Sequence, residues 1–457
     1  MVLKNQKGTA MFVAVMMLVL STGLGLLAFR VSLTELQISS YGKNELAVGY
    51  LAESGVEKIL SWISSPSKSP SPIFFGSLGP MQQASCTGNQ MSPDFQLSSS
   101  LLGDPDSGPF SELKEMGKVL DLRLYRGNHP KGMCTVEVKA EGGKGATQVI
   151  RVDLTRSPIQ AMTAAIQGAG NTNVASPIWV HWGKIRYTGN AHLGSSTSKI
   201  PIRNSATSPD SAPYTEDGLN QDPWLEIQVE KQIESPLPGR MKGNGGTTGE
   251  ESRPYADRPN VSENQRTVSL DSVDLNELKD YVKMYGNYYV VSPTGRLEQN
   301  GVEKGAFDQV FYSSTSDYQL IWVDRLPGYS SLEPILISQG NYKGYFYFTG
   351  NVQIEKNQPG RAVHAQSPPW PSTTPRQIEL SHIHLDGFFY VLGELNIQAP
   401  FSSYGALFAG QGFSGPGAGR SEVWYNHHYH SASYPNVPPV VRLKGTWRPI
   451  PVSDQNG

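Results

Sequence analysis

The sequence of 457 residues has little charge and little cysteine. Charged residues make up 17% of it and the formal net charge is −2, so no chain-wide basic field favours a nucleic acid as partner. Its two cysteines, Cys86 and Cys134, are too far apart for a C-x-x-C metal or redox motif. The G-x-S-x-G, H-E-x-x-H and P-loop motifs are also absent. The sequence therefore indicates no enzyme and implies no cofactor.

What is present begins with an uncharged apolar run over 10–29. A helix of this length rises about 30 Å, the thickness of the hydrocarbon core of a bilayer. Lys4 and Lys7 precede the run and Arg30 follows it, so the positive-inside rule keeps the N-terminus in the cytoplasm. A cleaved secretory signal, the alternative, would have a shorter apolar region and an A-x-A cleavage site. We expect a single-pass transmembrane helix over 10–29.

Helical periodicity continues beyond the apolar run. Apolar residues recur at mostly helical intervals among polar ones, at Leu33, Leu36, Leu46, Tyr50, Val56 and Ile59. Prolines in the stretch SSPSKSPSP, residues 64–72, then prevent the helix from continuing. This pattern predicts one N-terminal helix over 9–62, of which the first half lies in lipid and the second half is amphipathic.

Three features of this segment resemble a known family: Lys7-Gly8 at the end of a short polar leader, the long apolar helix, and the stretch AESG at residues 52–55. They resemble the N-terminus of type IV pilin-like proteins, in particular the minor pilins of the PilX type, and are similar to the K-type minor pseudopilin. The resemblance implies a leader, residues 1–8, that a prepilin peptidase removes after Gly8, so that Thr9 becomes the N-terminus. It also implies that the helix lies in the inner membrane before assembly and then packs against other pilin subunits.

The sequence departs from the family pattern at two positions. Major pilins carry a glutamate at the fifth position of the processed chain, where this sequence has Val13, and Thr9 stands where an aromatic residue or methionine is more usual. Absence of the glutamate is typical of PilX-type proteins and of the K-type pseudopilin, and an unpaired carboxylate in lipid would be costly. The departures fit a subunit with no neighbour ahead of it in a filament. A signal anchor of unrelated type is the alternative.

The two cysteines bear on the compartment of the chain. If the residues after Arg30 lie outside the cytoplasm, Cys86 and Cys134 are expected to form a disulfide, with two unpaired thiols as the alternative. A bridge closing a loop of about fifty residues would contribute about 4 kcal/mol in the chain-entropy model.

The sequence pattern over residues 63–160 predicts a small α/β head. The stretch SELKEMGKVLDL, residues 111–122, is compatible with a helix. The runs CTVEVKAE and TQVIRVDLT follow it and are joined through GGKG, whose glycines suit a hairpin turn. We expect the helix to pack on a small antiparallel sheet.

Residues 161–457 predict a mainly β domain. The segment GYFYFTGNVQI at 344–354 recurs as GFFYVLGELNI at 387–397, with weaker echoes at 185–193 and 286–298. Short alternating strands bent at glycines indicate the rungs of a β-solenoid, or a β-sandwich if hairpins close instead. The fold class is therefore α+β: a long N-terminal transmembrane and amphipathic helix, a pilin-like α/β head, and a mainly β, solenoid-like C-terminal part.

Two further segments stand out in this domain. The Gly-, Pro- and polar-rich residues of 201–264 predict a long surface insertion, because they cannot bury enough apolar surface to order themselves alone. Asp274 and Glu277 are spaced as an N-cap and its N3 partner, which predicts a helix through about Met284.

Three groups of side chains could carry chemistry: His382, His384, His427, His428 and His430 as metal ligands; Asp104, Asp106 and Glu112 as a calcium loop; and Asp386 with Glu394 as a catalytic acid pair. The histidines also fit a surface or strand-edge role, and the acids near 104 match no full EF-hand. A pair of acids is expected by chance in a chain of this length. We therefore expect no catalytic residue and no metal site.

The sequence favours a structural subunit of a type IV filament, at or near its tip, that acts in assembly initiation, adhesion or aggregation. Most aromatic residues of the β domain are expected to fill its core, and outward ones could present rings to surface carbohydrate or to a host or neighbouring cell. Two alternatives remain: a membrane-anchored protein that degrades polysaccharide, and a carbohydrate-binding adhesin on an anchor of another kind.

Overall fold

The computed structural model describes most of the chain. The described residues are 6–78, 85–98, 102, 108–174, 178–181, 183–193, 202–205, 227–234, 242–243, 261–262, 264–271, 273–311, 317–325, 333–358, 363–366, 377–415, 421–426, 428–429, 434–443 and 445–450. They divide into two compact units. Unit 1 comprises Met1–Arg156 together with Val440–Gly457, and unit 2 comprises Ser157–Pro439.

The helices and strands have the following bounds. The α-helices are α1 Gln6–Ser64, α2 Pro72–Ser77, α3 Leu275–Tyr285 and α4 Phe307–Phe311. The first strands are β1 Phe95–Ser98, β2 Gly117–Arg126, β3 Cys134–Gly142, β4 Thr147–Arg156, β5 Ile166–Gly168, β6 Thr172–Val174, β7 Ile178–His181, β8 Ile185–Tyr187, β9 Ala191–Leu193, β10 Ile202–Ser205, β11 Ile227–Val229, β12 Ile233–Glu234, β13 Lys242–Gly243, β14 Val261–Ser262 and β15 Asn287–Val291. The later strands are β16 Leu297–Gln299, β17 Val302–Gly305, β18 Gln319–Arg325, β19 Ile335–Gln339, β20 Asn341–Phe348, β21 Val352–Gln358, β22 Val363–Gln366, β23 Gln377–Leu380, β24 Ile383–Val391, β25 Glu394–Ile397, β26 Phe401–Ala409, β27 Gly412–Gly415, β28 Ser421–Tyr425, β29 Val440–Arg442 and β30 Arg448–Ile450.

Unit 1 is built on one antiparallel sheet and one long helix. The sheet has the order β1-β2-β3-β4-β29, and β30 also pairs with β4. The helix α1 is continuous for 59 residues, which confirms the prediction of a single N-terminal helix. The hairpin of β3 and β4, joined through Gly143–Gly145, is also confirmed.

The predicted helix over 111–122 is wrong. Ser111–Leu113 forms one turn of 3₁₀ helix, and β2 begins at Gly117. The stretch VLDLRLY, residues 119–125, carries an alternating apolar pattern that places Leu122 and Leu124 in the core, where both are fully buried. Pairing with β3 along the whole strand outweighs the helix propensity of the lysine, glutamate and leucine residues.

The C-terminus returns to the first unit. Val440–Arg442 pairs antiparallel with Leu154–Arg156 of β4, and Arg448–Ile450 pairs with Val149–Arg151 of the same strand. The predicted β domain over 161–457 thus differs from unit 2, which ends at Pro439 and is an insertion between β4 and β29. Nothing in the local sequence marks this return, because it is set by pairing between residues far apart in the chain.

Unit 2 contains three stacks of parallel strands. The first runs in the order β18, β20, β24, β26, β5, β8, β11 and β14. The second runs in the order β19, β21, β25, β27, β6, β9 and β12. A third stack runs in the order β26, β28, β7, β10 and β13. From β5 to β13, and again from β26 to β28, successive strands pass through the first, second and third stacks in turn. The chain therefore enters each stack in the middle, and its late strands precede its early ones in space.

The two ends of unit 2 lie side by side. Ser157 donates its N–H to the carbonyl of Pro439 at 2.9 Å, and Met162 donates to the carbonyl of Tyr429 at 2.9 Å. The hydroxyl of Tyr425 also donates to the carbonyl of Met162. An insertion whose ends meet in this way can interrupt a sheet between neighbouring strands without separating them.

Glycines align across three neighbouring strands of the first stack. Gly344 of β20 pairs with Gly387 of β24, which pairs with Gly405 of β26. Gly344 and Gly387 have φ of 143° and 147°, and a Cβ on Gly387 would lie 1.8 Å from the carbonyl oxygen of Gly344. Only glycine fits this position, because both the backbone angle and the space exclude a side chain.

Other predictions for unit 2 have mixed outcomes. The helix predicted from Asp274 is confirmed as α3, and the Asp274 carboxylate accepts from the N–H groups of Asn276 and Glu277. Most of 201–264 lies outside the described residues. The part that is described differs from an unstructured insertion, since it forms β10–β14 and extends the stacks. The aromatic residues predicted to be core, such as Tyr345 and Phe388, are buried.

Candidate functional site

The first half of α1 is an apolar surface that the described residues of the chain do not cover. Every large hydrophobic side chain from Met11 to Leu46 is between 44% and 72% exposed. Among the described residues, α1 is the one helix long and apolar enough to cross a membrane. Apolar side chains surround the helix on all sides over 10–29, which is typical of a helix enclosed by lipid or by other helices.

The second half of α1 packs on the sheet of unit 1. Its inward side chains are fully or nearly fully buried, namely Val48, Leu51, Ala52, Val56, Ile59, Trp62 and Ile63. They form one core with residues of β2, β3 and β4, including Leu122, Val138 and Ile150. This burial fixes the exposed half of the same continuous helix to the sheet.

Gly55, the last residue of the AESG stretch, explains how closely helix and sheet approach. A Cβ on Gly55 would lie 2.6 Å from Cγ1 of Val138 and 3.2 Å from Cδ2 of Leu122. A side chain at this position would therefore push α1 away from β2 and β3. The glycine of the AESG stretch therefore has a packing role.

The predicted processing residues lie at the start of the same helix. Residues 1–5 of the leader lie outside the described residues, and the backbone of Gly8 and Thr9 is already helical. Val13 is 52% exposed, on the surface where a pilin would carry its glutamate. No acidic residue occurs from 10 to 29, and Arg30 is exposed at the end of the run.

The predicted disulfide is present between Cys86 and Cys134. Their Cα atoms lie 5.1 Å apart across a sequence separation of 48 residues. The N–H of Cys86 donates to the carbonyl of Met133 at 3.2 Å, which holds the segment before β1 against the start of β3. The bridge fits an oxidising compartment, because cytosolic thiols are kept reduced.

The histidines do not converge on a metal site among the described residues. His384 is buried in β24, and its Nδ1 donates to the carbonyl of His382 at 3.2 Å. Burial lowers the pKa of His384 below its ordinary value. His427 and His430 lie outside the described residues, whereas His428 lies within them.

The acidic candidates are also dispersed. Asp104 and Asp106 lie outside the described residues, and Glu112 lies in the 3₁₀ turn Ser111–Leu113. Asp386 accepts from the hydroxyl of Tyr318 at 2.7 Å, and burial raises the pKa of its carboxyl. Glu394 belongs to β25 in the second stack and is exposed. Asp386 thus has a hydrogen-bonding role within the fold.

A buried polar centre around Asp271 was missed from the sequence. Its carboxylate accepts from the N–H of Thr163 at 2.5 Å, from the Thr163 hydroxyl at 2.7 Å and from the amide of Gln167. The hydroxyl of Tyr390 donates to the Asp271 carbonyl at 3.2 Å. These bonds fasten the segment before α3 to the stacks. No sequence motif predicts these hydrogen bonds, since the partners come from distant parts of the chain.

No protein-family model matches the chain, and no curated protein matches it. Among solved structures, the crystal structure of the competence-associated pilin ComZ from Thermus thermophilus is similar at 11% sequence identity, over 89% of this chain and 97% of that chain, with a TM-score of 0.27. A score this low does not distinguish a shared fold from partial overlap. The likeness therefore carries no argument about fold or function.

Proposed function

We propose that the chain is a minor pilin-like structural subunit of a type IV pilus or a related filament. The observation that carries the proposal is the division of α1, with one half exposed and apolar and the other half buried on the sheet of unit 1. A plain membrane anchor has no need of the second half. A subunit that leaves the membrane and enters a filament needs both, because the lipid-facing surface must be buried again against other helices.

We propose that the family resemblance of the PilX type extends to processing. A prepilin peptidase would cut after Gly8 and leave Thr9 as the N-terminus. The units after Arg30 would then lie outside the cytoplasm, first at the inner membrane and later on the filament. The disulfide and the lysines before the apolar run support this topology.

The test of processing is the mass of the chain extracted from membranes. We expect residues 1–8 to be missing, and Gly8→Val to leave them attached, because the peptidase needs a backbone with little side chain in the way. Gly23→Val, in the middle of the same apolar run, is the matched control and should be processed normally. An intact Met1 in the unchanged protein would contradict the proposal.

We propose that the stacks of unit 2 wind as a β-solenoid. The repeated passage of successive strands through parallel stacks, as in β5, β6, β7 and then β8, β9, β10, supports this. A large inserted domain would clash with laterally packed neighbours along a filament shaft, whereas the tip tolerates it. Hence the subunit would be rare, would lie at or near the tip and would act in initiation, adhesion or aggregation. Its partners would be other pilin subunits and, through unit 2, surface carbohydrate or a neighbouring cell.

The placement is tested by the copy number in sheared filaments. We expect far fewer copies of this chain than of the major subunit. A stoichiometry near that of the major subunit would contradict the tip placement. Purified protein should also show no activity on polysaccharides, and measured hydrolysis would favour a membrane-anchored enzyme instead.

A further inference from the structure

Unit 1 carries an open groove of about 770 Å³ between α1 and the edge of its sheet. One wall is a single face of α1, since its residues recur at intervals of three and four: Gly42, Glu45, Leu46, Gly49, Tyr50 and Glu53. The other wall is formed by Ala146–Gln148 at the start of β4 and by Trp447 and Ile450 of the returning C-terminus. The groove exists only because the chain comes back to unit 1 after the insertion.

The groove is apolar, and the described residues leave it uncovered. Leu46 is 64% exposed, Tyr50 is 60% exposed and Trp447 is 44% exposed, although each is a large hydrophobic side chain. Gly49 and Ala146, which have no side chain beyond a methyl group, also line the groove. Exposed apolar surface of this kind, with polar groups at its rim, marks an interaction site. Its volume equals about two turns of a helix about 10 Å across.

The described residues that line the groove carry charge of one sign. Glu45 and Glu53 are the charged residues among them, and none of these described residues is a lysine or arginine. An occupant is therefore expected to be apolar over most of its length and to carry a positive charge. The chain itself contains a segment of this chemistry, namely the exposed apolar run over 10–29 that ends in the exposed Arg30.

We propose that the groove receives the apolar helix of a second filament subunit, built like residues 10–30 of this chain, with its basic residue next to Glu45 or Glu53. This inference rests on the proposed function, because the partner helix is available only when subunits leave the membrane together. The groove then supplies a charged contact between subunits that does not use the position of Val13, where the pilin glutamate is missing.

The pairing fixes the stagger between the two subunits. Both helices leave the membrane in the same direction, so they pack in parallel. A basic residue at position 30 of the partner lies level with a residue about 15 or 23 positions further along α1, which corresponds to a shift of about 22 or 34 Å. The partner is displaced towards the head of this subunit, that is, towards the filament tip. This subunit would then have at least one subunit ahead of it, which differs from the position at the very end of a filament that the missing glutamate at Val13 fits.

Photocrosslinking in assembled filaments tests the groove. A benzoylphenylalanine replaces Trp447 in the groove, Met91 outside it in the same unit (85% exposed), or Leu24 on the exposed half of α1. We expect position 447 to give an adduct with an apolar helix of another subunit, identified by mass spectrometry, and position 91 to give none. Position 24 reports whether the chain packs among subunit helices at all.

The outcomes separate the two proposals. Adducts at 24 with subunit helices but none at 447 would overturn the groove and leave the filament assignment standing. Failure at both positions would overturn both. An adduct at 447 with lipid alone, with a soluble protein, or with residues 451–457 of the same chain would also overturn the groove.

Charge reversal at the rim of the groove gives an independent test of the proposal. Glu45→Lys with Glu53→Lys should lower the crosslink yield at 447 by about tenfold, since like charges would then meet at the rim. Changing the partner's basic residue to glutamate should restore the yield. Glu112→Lys, an exposed glutamate of unit 1 outside this groove, is the matched control. An unchanged yield in the double variant would contradict the charge pairing.

Discussion

Each of the two units of the chain is stabilised by internal contacts of a different kind. Unit 1 joins β-strands in antiparallel pairs, buries one side of a long helix and closes a loop with a disulfide. Unit 2 contains no cysteine and repeats parallel strands, with glycines aligned across neighbouring strands and aromatic side chains in register, such as Tyr390 and Phe408 stacked 4.0 Å apart. The difference indicates that each unit depends on contacts of its own, so that damage to one should spare the other.

The largest expected effect is in unit 2. Gly387→Ala places a Cβ 1.8 Å from the Gly344 carbonyl at a φ of 147°, so strain and overpacking together should cost about 5 kcal/mol. Hydrogen exchange measured by mass spectrometry on the full chain should show faster exchange in the strands of unit 2 alone. Gly412→Ala, whose added Cβ would have 3.4 Å to its nearest neighbour, is the control. Equal loss of protection in unit 1 would break the comparison.

Removal of the disulfide is the second test, and its effect should fall on unit 1. Cys86→Ala with Cys134→Ala frees the unfolded chain between them and should cost about 4 kcal/mol. Exchange should rise in β1, β2 and β3, while unit 2 keeps its protection. Reduction of the unchanged protein serves as the control and should reproduce the effect. Uniform destabilisation of both units would show that they fold as one.

A smaller effect is expected where α1 meets the sheet. Gly55→Ala gains helix propensity but forces a methyl group to within 2.6 Å of Val138, so the net cost should be about 1–2 kcal/mol. Gly42→Ala, which has open space around its Cβ, should instead stabilise the helix. Thermal unfolding of unit 1 measures both. A stabilised Gly55→Ala would mean that the helix does not approach the sheet so closely.

The smallest effect concerns pH and unit 2. Because the pKa of His384 is lowered by burial in the folded state, the unfolded chain binds a proton first as the pH falls below about 6.5. The stability contributed by the neutral ring is therefore present above that pH. It is lost as the pH falls towards the lower pKa of the folded state, and the free energy of unfolding then changes by at most about 1.4 kcal/mol per pH unit. His384→Phe should flatten this part of the pH profile for unit 2. An unchanged slope would mean that another group titrates.

Parts of this fold were predictable because their signals are local. The apolar run and the helical spacing up to Ile59 give α1, the GGKG turn gives the hairpin of β3 and β4, and Asp274 gives the start of α3. The prediction of a helix over 111–122 was wrong because it gave more weight to the helix-forming residues than to the strand-like alternation in VLDLRLY. Repeats such as TGN at 188–190 and 349–351 mark turns between the stacks.

The remainder could not be predicted, because it depends on partners far apart in the chain. Arg442 of β29 forms an ion pair with Glu57 of α1, and Trp447 completes the groove, yet neither position has a local pattern that places it in unit 1. The same holds for the pairing of β26 with β5. The candidate assembly surface was predictable as an exposed apolar helix, whereas its acidic groove was not.

The order of the strands in the stacks delays the completion of unit 2 during synthesis. Ile166 of β5 pairs with Leu407 of β26, so the first strands of unit 2 are complete only after about 240 further residues have been made, roughly 12–50 s at ordinary rates of translation. Until then β5 presents an open edge of unpaired N–H and C=O groups, which invites pairing with other chains. A polypeptide truncated before β26 is therefore expected to aggregate more readily than the full chain.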